Sequence, residues 1–380
     1  RVEPVTRPDD FWKAWAAMES VPTEVGELTP DWLTQALRRH APDGRVTSVS
    51  VVDSHSGTTG RVRLRLSYDG DRGELPDTVF CKLAPFDPRQ RQFLRAVGIG
   101  AMEARFYAEL AGDVPFLRIP RPWYAALGPE GDFVMVLEDL EAAGCRFPRP
   151  ADPDVAERAA STVEELAHLH ASAWESQRFS GDWSWVPDRA GFGGAHAKDP
   201  KVIAASGRFV SKAPELFGAQ MPPVFGALCA LYGRRTGEIL DLWDEGPRTL
   251  VHGDPHSANL FTDRGRTGFF DWAMFSHSPG MRDVAYYCCN SLPTDVRRAV
   301  QDDLLALYRR ALGDHGVALP ADEARRQLRL FAVYSWVSAT STAAVGSRWQ
   351  PSKRAVAAMA RTTAAAEDLD SVGLLKELLR

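Results

Sequence analysis

The chain is 380 residues long, 44% hydrophobic and 25% charged, enough for a sizeable core spread over about two domains or lobes. Its formal net charge of −5 and pI near 6.0 offer no basic field of the kind nucleic acid requires. No run of 18 or more apolar residues and no signal-peptide pattern occur, so a soluble, cytoplasmic protein with no membrane partner is expected.

Residues 1–43 read as a peripheral helical extension. Phe11, Trp12 and Trp15 fall at helical spacing, and Thr29-Pro30-Asp31 opens a further short helix with Pro near its start. From about Thr47 the period changes. Thr47, Val49 and Val51 alternate with Ser48 and Ser50, and Val62, Leu64, Leu66 and Tyr68 alternate with Arg61, Arg63, Arg65 and Ser67. That pattern predicts two half-buried antiparallel strands. The segment between them, Ser54 to Gly60, is small, polar and Gly-bearing. Its residues Ser56, Gly57 and Thr58 would let backbone N–H groups approach phosphates without side-chain clash.

Val79-Phe80-Cys81-Lys82-Leu83 predicts a third strand with Lys82 inside an apolar run. A lysine there needs a partner, because an uncompensated buried ammonium is expelled or loses its proton. The following helix, Gly100–Leu110, supplies Glu103 beside a packing stripe of Met102, Phe106 and Leu110. Trp123–Ala126 and Phe133–Leu137 predict two more strands around a Gly128-Pro129-Glu130-Gly131 turn. Glu138-Asp139-Leu140 then carries the chain toward a helical half, where backbone at Glu138 and Leu140 would meet a nucleotide base. Val155, Ala159, Val163, Leu166, Leu169 and Trp174 form the stripe of a long helix. Its His168 and His170, two apart, do not face one another and read as structural.

Residues 250–272 carry the chemistry. An apolar run, Leu250-Val251, leads into a polar loop with Asp254 and Asn259, and a second β-like run, Thr267–Phe270, ends in Asp271. Four residues separate Asp254 from Asn259, and Asp271 follows Asn259 by twelve. Protein kinases use H-R-D-x-x-x-x-N followed by a metal-binding Asp on the next hairpin. Mg2+ takes one or two carboxylates plus phosphate oxygens and waters, so Asn259 and Asp271 suit the metal and Asp254 is left to accept the proton of an incoming hydroxyl.

The His252-Gly253-Asp254 triplet with Trp272 after the metal Asp gives H-G-D-x-x-x-x-N…D-W. This pattern resembles the aminoglycoside-phosphotransferase-like and ecdysteroid-kinase-like small-molecule kinases of the protein-kinase-like superfamily. Met102–Tyr107, Val136–Leu140 and Gly280–Tyr286 resemble the same group, over roughly residues 45–290. The resemblance implies an α+β, two-lobed protein-kinase-like fold with a small antiparallel-sheet N-lobe (44–140, hinge at 137–140) and a larger, mostly helical C-lobe (141–380). It also implies ATP and Mg2+ as cofactors. Asp254 would be the base, Asn259 and Asp271 the metal ligands, and Lys82 with Glu103 the phosphate clamp. His252 and His256 would shape the loop.

The partner expected is a small-molecule hydroxyl acceptor. Asp271 runs through Ser276–Gly280 straight to Asp283, which reads as a helix cap or loop anchor, and twelve residues leave little room for the A-P-E-terminated segment that docks peptides. Residues 290–380 carry slightly more Arg and Lys than acids, with Arg348, Lys353 and Arg354 clustered. The aromatic segments Trp183–Trp185, Gly191–Gly194, Phe331–Ser338 and Trp349 read as core, or as lining for a neutral or partly apolar hydroxylated compound, including one with a phosphate or carboxylate for an Arg. An aminoglycoside or other antibiotic O-phosphotransferase is the alternative. A nucleotide-binding, pseudokinase-like regulator is another, against which the complete polar set argues. Five scattered cysteines without a C-x-x-C pair read as small buried hydrophobes rather than a disulfide framework or zinc site. No internal repeat is present, and the oligomeric state is not legible.

Overall fold

Alternation along Val62, Leu64 and Leu66 places one face of a strand in a dry core, and the first unit is organised around it. In the computed structural model, residues 21–380 are described apart from 98, 129–130, 150–151, 190–197 and 347–351. Phe11, Trp12, Trp15, Pro129, Glu130, Gly191–Gly194, Arg348 and Trp349 therefore lie outside the described residues. The chain divides into two compact units, Arg1–Cys145 and Arg146–Arg380.

The first unit holds α1 (Pro30–Leu37), β1 (Arg45–Ser56), β2 (Gly60–Asp69), β3 (Thr78–Leu83), α2 (Pro88–Val97), α3 (Ile99–Arg105), β4 (Pro122–Leu127) and β5 (Phe133–Glu138). Its five strands form one antiparallel sheet in the order β1-β2-β3-β5-β4. Thr29 caps α1, its Oγ1 accepting from the Trp32 N–H at 3.2 Å, with Pro30 at the first helical position. Leu33 and Leu37 of α1 join Val62, Leu64, Val79, Cys81 and Val136 in the core.

Two expectations change in detail. β1 does not bury Thr47, Val49 and Val51 as a row: bulges between Val46 and Ser48 and between Val51 and Asp53 switch its face, so Val46 is buried while Val51 and Val52 are exposed. The helix expected over Gly100–Leu110 is α only as far as Arg105, the end of α3, and continues as a π turn over Phe106–Leu110. Its buried side is Glu103, Ala104, Phe106, Tyr107 and Leu110, with Met102 only half-buried. The wider turn brings Phe106 and Tyr107 inward together.

The second unit contains α4 (Val155–Ser172), α5 (Pro200–Ser211), α6 (Ala213–Phe217), α7 (Pro223–Trp243), β6 (Arg248–Val251), β7 (Leu260–Asp263), β8 (Arg266–Phe269), β9 (Ser276–Pro279), α8 (Met281–Tyr286), α9 (Thr294–Asp314), α10 (Ala321–Val345), α11 (Ser352–Asp368) and α12 (Ser371–Leu378). β6 pairs with β9 and β7 with β8, both antiparallel. The β7–β8 hairpin turns at Arg264 (φ 50°) and Gly265 (φ 85°), both left-handed, as a two-residue type I′ connection requires. Glu165 of α4 accepts Arg266 through both oxygens at 2.9–3.0 Å, and Ser161 Oγ accepts the Thr267 N–H at 3.0 Å. These bonds seat the hairpin on α4. All five cysteines are free and buried, as their scatter implied. Among the described residues, no helix is long and apolar enough to cross a membrane.

Candidate active site

In the first unit, β3 and α3 bring Lys82 and Glu103 together. Lys82 Nζ donates to Glu103 Oε2 at 2.5 Å, and both side chains are buried. The register Arg61↔Lys82↔Met135 keeps Lys82 in the middle of the sheet. A charge at that depth persists only when it is paired and hydrogen-bonded.

The β1–β2 hairpin tip holds the three loop residues. Ser56 ends β1, where its Oγ accepts the Phe86 N–H at 3.1 Å, and Gly57 N–H donates to Thr59 O at 3.1 Å. Gly60 opens β2 against Phe86 and the Ala84 carbonyl, which leave no room for a Cβ. At the other end of the sheet, Glu138 closes β5. Its carboxylate takes both Arg118 amino groups at 2.8 Å and the Arg121 N–H at 3.0 Å. The Glu138 side chain is thereby committed within the unit. The Leu140 carbonyl accepts the Cys145 N–H at 2.9 Å.

The second unit assembles the remaining residues. β6 delivers His252, Gly253 and Asp254 into a turn that only glycine completes: Gly253 has φ +86°, and a Cβ there would strike the Met274 carbonyl. His252 is fully buried. Its Nδ1 accepts the Asp254 N–H at 3.3 Å and its Nε2 bonds the Phe270 carbonyl at 3.1 Å, so the ring straps the Asp254 loop to the residue preceding Asp271. That pattern requires the neutral imidazole protonated on Nε2.

A 3₁₀ turn over Ser257–Asn259 points Asn259 back at the same loop. Asn259 Nδ2 donates to the Asp254 carbonyl at 3.0 Å and to Asp254 Oδ2 at 3.2 Å, while His256 Nε2 lies 3.5 Å from that oxygen. The Asn259 carbonyl accepts the Phe270 N–H at 3.0 Å, which sets Asp271 one residue away. Asp271 itself is left-handed, at φ 63° and ψ 60°, a strained conformation for a residue with a Cβ and one that clusters at functional sites.

One residue holds this arrangement in place. Asp283, buried at the start of α8, accepts the His252 N–H at 2.6 Å on Oδ2 and the Gly253 N–H at 2.9 Å on Oδ1. His170 Nε2 lies 3.4 Å from Asp283, and its Nδ1 bonds the Tyr308 hydroxyl at 2.8 Å. Burial pushes the Asp283 carboxyl up, but the His170 hydrogen bond and the nearby charges outweigh it and hold it below the ordinary carboxylate range. Asp283 is thus the loop anchor its position suggested, and His170 is structural through it.

The wall beside Asp254 combines Met274, Tyr286 of α8, and Tyr334, Ser338 and Thr342 of α10; of these only Tyr334 and Ser338 belong to a segment that the sequence marked as possible lining. Of the aromatic segments, Trp183 is core, under the Arg178 guanidinium at 3.6 Å, whereas Tyr334 and Ser338 of the 331–338 stretch face this cavity.

The Asn259 amide suits a metal ligand by orientation: both bonds of its nitrogen run to Asp254, which leaves the Oδ1 lone pairs for another partner. With the Asp271 carboxylate this makes a pair of hard oxygen donors. Among the described residues, no cluster of three or more His, Cys, Asp or Glu forms a protein-only metal cage. Two oxygen ligands completed by phosphate oxygens and water is the pattern Mg2+ takes.

Three histidines are held neutral. Burial lowers His40, His252 and His277 below the usual imidazole value of 6.5. The unfolded chain therefore binds protons that the fold does not as pH falls below about 6.5, and stability must fall with it, by at most about 1.4 kcal/mol per pH unit for each imidazole. The lowered Asp283 acts in the same sense at more acid pH: its contribution is present above its unfolded pKa and is lost as pH falls through the folded one. Urea unfolding at pH 7.5 and 5.5 is expected to give lower stability at 5.5, and equal or greater stability there would contradict the burial of these groups uncharged.

A family profile described as the phosphotransferase enzyme family matches residues 72–320. Among solved structures, the chain is similar to choline kinase from Cryptosporidium parvum Iowa II, at 10% identity over 88% of this chain and 94% of that one, with a TM-score of 0.50. It is also similar to a Plasmodium vivax ethanolamine kinase, at 12% identity over 84% of this chain and 81% of that one, again with a TM-score of 0.50. At these identities the likeness is one of fold, and that fold is kinase-like: a small antiparallel-sheet unit and a larger helical one. A comparison with curated proteins returns no match.

Proposed function

The chain belongs to the phosphotransferase enzyme family as a small-molecule kinase, and from that premise we propose that it moves the γ-phosphoryl group of ATP, with Mg2+, to a hydroxyl of a small molecule that is not a polycation. The observation that carries this reading is the Asp254 loop, in which Asn259 grips Asp254 while the whole turn hangs from Asp283.

In this reading Asp254 is the base. The acceptor oxygen forms a bond to the γ-phosphorus, the bond from that phosphorus to the bridging oxygen breaks with its electron pair on ADP, and the hydroxyl proton passes to Asp254. Lys82, steadied by Glu103, donates to phosphate oxygens. The Ser56–Thr58 hairpin tip covers the phosphates, the Gly57 N–H excepted because it is spent on the Thr59 carbonyl, and Glu138 and Leu140 contribute backbone to the base. Asn259 and Asp271 would hold the Mg2+, which when bound would supply neutralisation of charge on the phosphate oxygens.

Most of the protein's share is positioning. Asn259 and His256 restrict the Asp254 carboxylate, and the His252 strap keeps the base and the metal-binding hairpin in register. Fixing reacting groups in this way accounts for much of the rate in phosphoryl transfer, where the protein itself does little covalent chemistry.

The test is an ATP-consumption screen over cell extract and hydroxylated compounds. ADP is expected to form only when an acceptor is present. ATP binding with no consumption across the extract would instead favour a nucleotide-binding regulator.

A further inference from the structure

A cavity of about 210 Å³ opens beside Asp254 within the second unit. Asp254 is the one carboxylate among the described residues that line it, and the other polar side chains there are His256 and the hydroxyls of Tyr286, Tyr334, Ser338 and Thr342. These hydroxyls are not equivalent. Thr342 Oγ1 donates to the Ser338 carbonyl at 2.9 Å, so its proton is used within α10. Tyr286 is buried beside Asp254, and its hydroxyl lies 3.4 Å from Ser338 Oγ.

Tyr334 differs because its oxygen accepts from Arg282 Nη2 at 2.7 Å, with the guanidinium 4.6 Å from the ring centre. A phenol that accepts from a cation keeps its own proton for another partner, and the adjacent charge strengthens that donation. Arg282 is itself only 4% exposed. Its other hydrogen bond goes to Ser276 Oγ at 3.2 Å, and its Nε has no hydrogen-bond partner among the described residues. A buried guanidinium, incompletely hydrogen-bonded and sharing its charge with the adjacent Asp283 carboxylate, therefore stands behind one wall of the cavity while the negative Asp254 stands at another.

Resting on the phosphotransfer reading above, we propose that Tyr334 is a specificity-determining hydrogen-bond donor, with Arg282 as its positioning residue, and that the acceptor is a hydroxy carboxylate. Its hydroxyl meets Asp254 and its carboxylate meets Tyr334. This polarity disfavours amine-rich acceptors. An ammonium placed at Tyr334 would face a donated proton and a guanidinium. One placed at Asp254 would occupy the group that must take the proton.

The full-length chain with Mg-ATP is assayed on matched hydroxy carboxylates, their amides and amino alcohols of equal chain length, with kanamycin as a polycation. Phosphorylated product is read by mass. Hydroxy carboxylates are expected to exceed their amides by at least about tenfold in kcat/KM, as one charge-assisted hydrogen bond provides, and kanamycin to give no product. Tyr334→Phe keeps the ring and is expected to raise KM for the preferred acid by about 10- to 100-fold with kcat little changed. In both Tyr334→Phe and Arg282→Gln the acid-over-amide ratio is expected to fall toward one, a change that loss of stability alone would not produce. Equal or better turnover of amino alcohols or kanamycin by the unmodified chain overturns the proposal and leaves phosphotransfer standing, and this comparison decides the matter even where a variant does not fold. An unchanged acid-over-amide ratio in folded Tyr334→Phe also overturns it. Product from none of the panel overturns it too, and a blank cell-extract screen as well would remove the phosphotransfer reading beneath it.

Discussion

Replacing Asp254 by Ala is expected to lower kcat by about 10²–10⁴-fold, the usual worth of a positioned acid–base group, while Mg-ATP still binds. The loss should fall on turnover because, in the proposed mechanism, the carboxylate takes the acceptor's proton and is assigned no contact with the phosphates. It is fixed by Asn259 Nδ2 at 3.2 Å and His256 at 3.5 Å, and it borders the same cavity as Tyr286 and Tyr334. Its backbone N–H and carbonyl are bonded to His252 and Asn259 independently of the side chain, so the loop should keep its path in the variant. Steady-state kinetics on an identified substrate, paired with nucleotide titration, separates the two effects. Unchanged kcat in Asp254→Ala would remove the base assignment.

Asp283→Ala should have the largest effect on stability, about 3–5 kcal/mol by urea unfolding, because it strips a fully buried carboxylate from partners that cannot reach water. The His252 and Gly253 N–H groups lose their acceptors, and His170 keeps Tyr308 but loses the carboxylate. Activity should fall with it, since the same two N–H groups set where Asp254 sits. Asp283→Asn keeps the shape but turns an amide donor toward one of two backbone donors, so it should recover only part of the loss. A change below about 1 kcal/mol in Asp283→Ala would mean that other contacts hold the loop.

The parts of this protein that were legible in the sequence are those where a polar residue interrupts an apolar pattern. Lys82 inside Val79–Leu83 demanded a partner, and the neighbouring helix offered Glu103; they meet at 2.5 Å. The β2 strand follows from alternation, and β3, β4 and β5 follow from short apolar runs bounded by turn residues. The bulges in β1 were not legible, because a one-residue slip leaves composition untouched while it flips every later side chain. The π turn after Arg105 was hidden for a similar reason: Phe106 and Tyr107 are both apolar, and helical periodicity does not say which turn will widen to bury both.

Long-range pairings mark the other limit. Asp283 could be read as an anchor, but not that it would hold two N–H groups thirty residues upstream. At Glu138 only a backbone role was expected, and nothing local indicates that Arg118, twenty residues earlier, takes both side-chain oxygens. The cavity wall joins residues 274, 286, 334 and 338. Its polarity depends on Arg282 reaching Tyr334 fifty-two positions away.

The most direct measurement follows the transferred group itself. ATP carrying 18O in its γ-phosphoryl oxygens is incubated with the full-length chain, Mg2+ and cell extract, and products are resolved by mass. A small molecule heavier by one labelled phosphoryl group, formed at least about 100-fold more slowly with Asp254→Ala, is the result expected. Labelled inorganic phosphate alone, or label incorporated only into protein, would contradict phosphoryl transfer to a small-molecule hydroxyl.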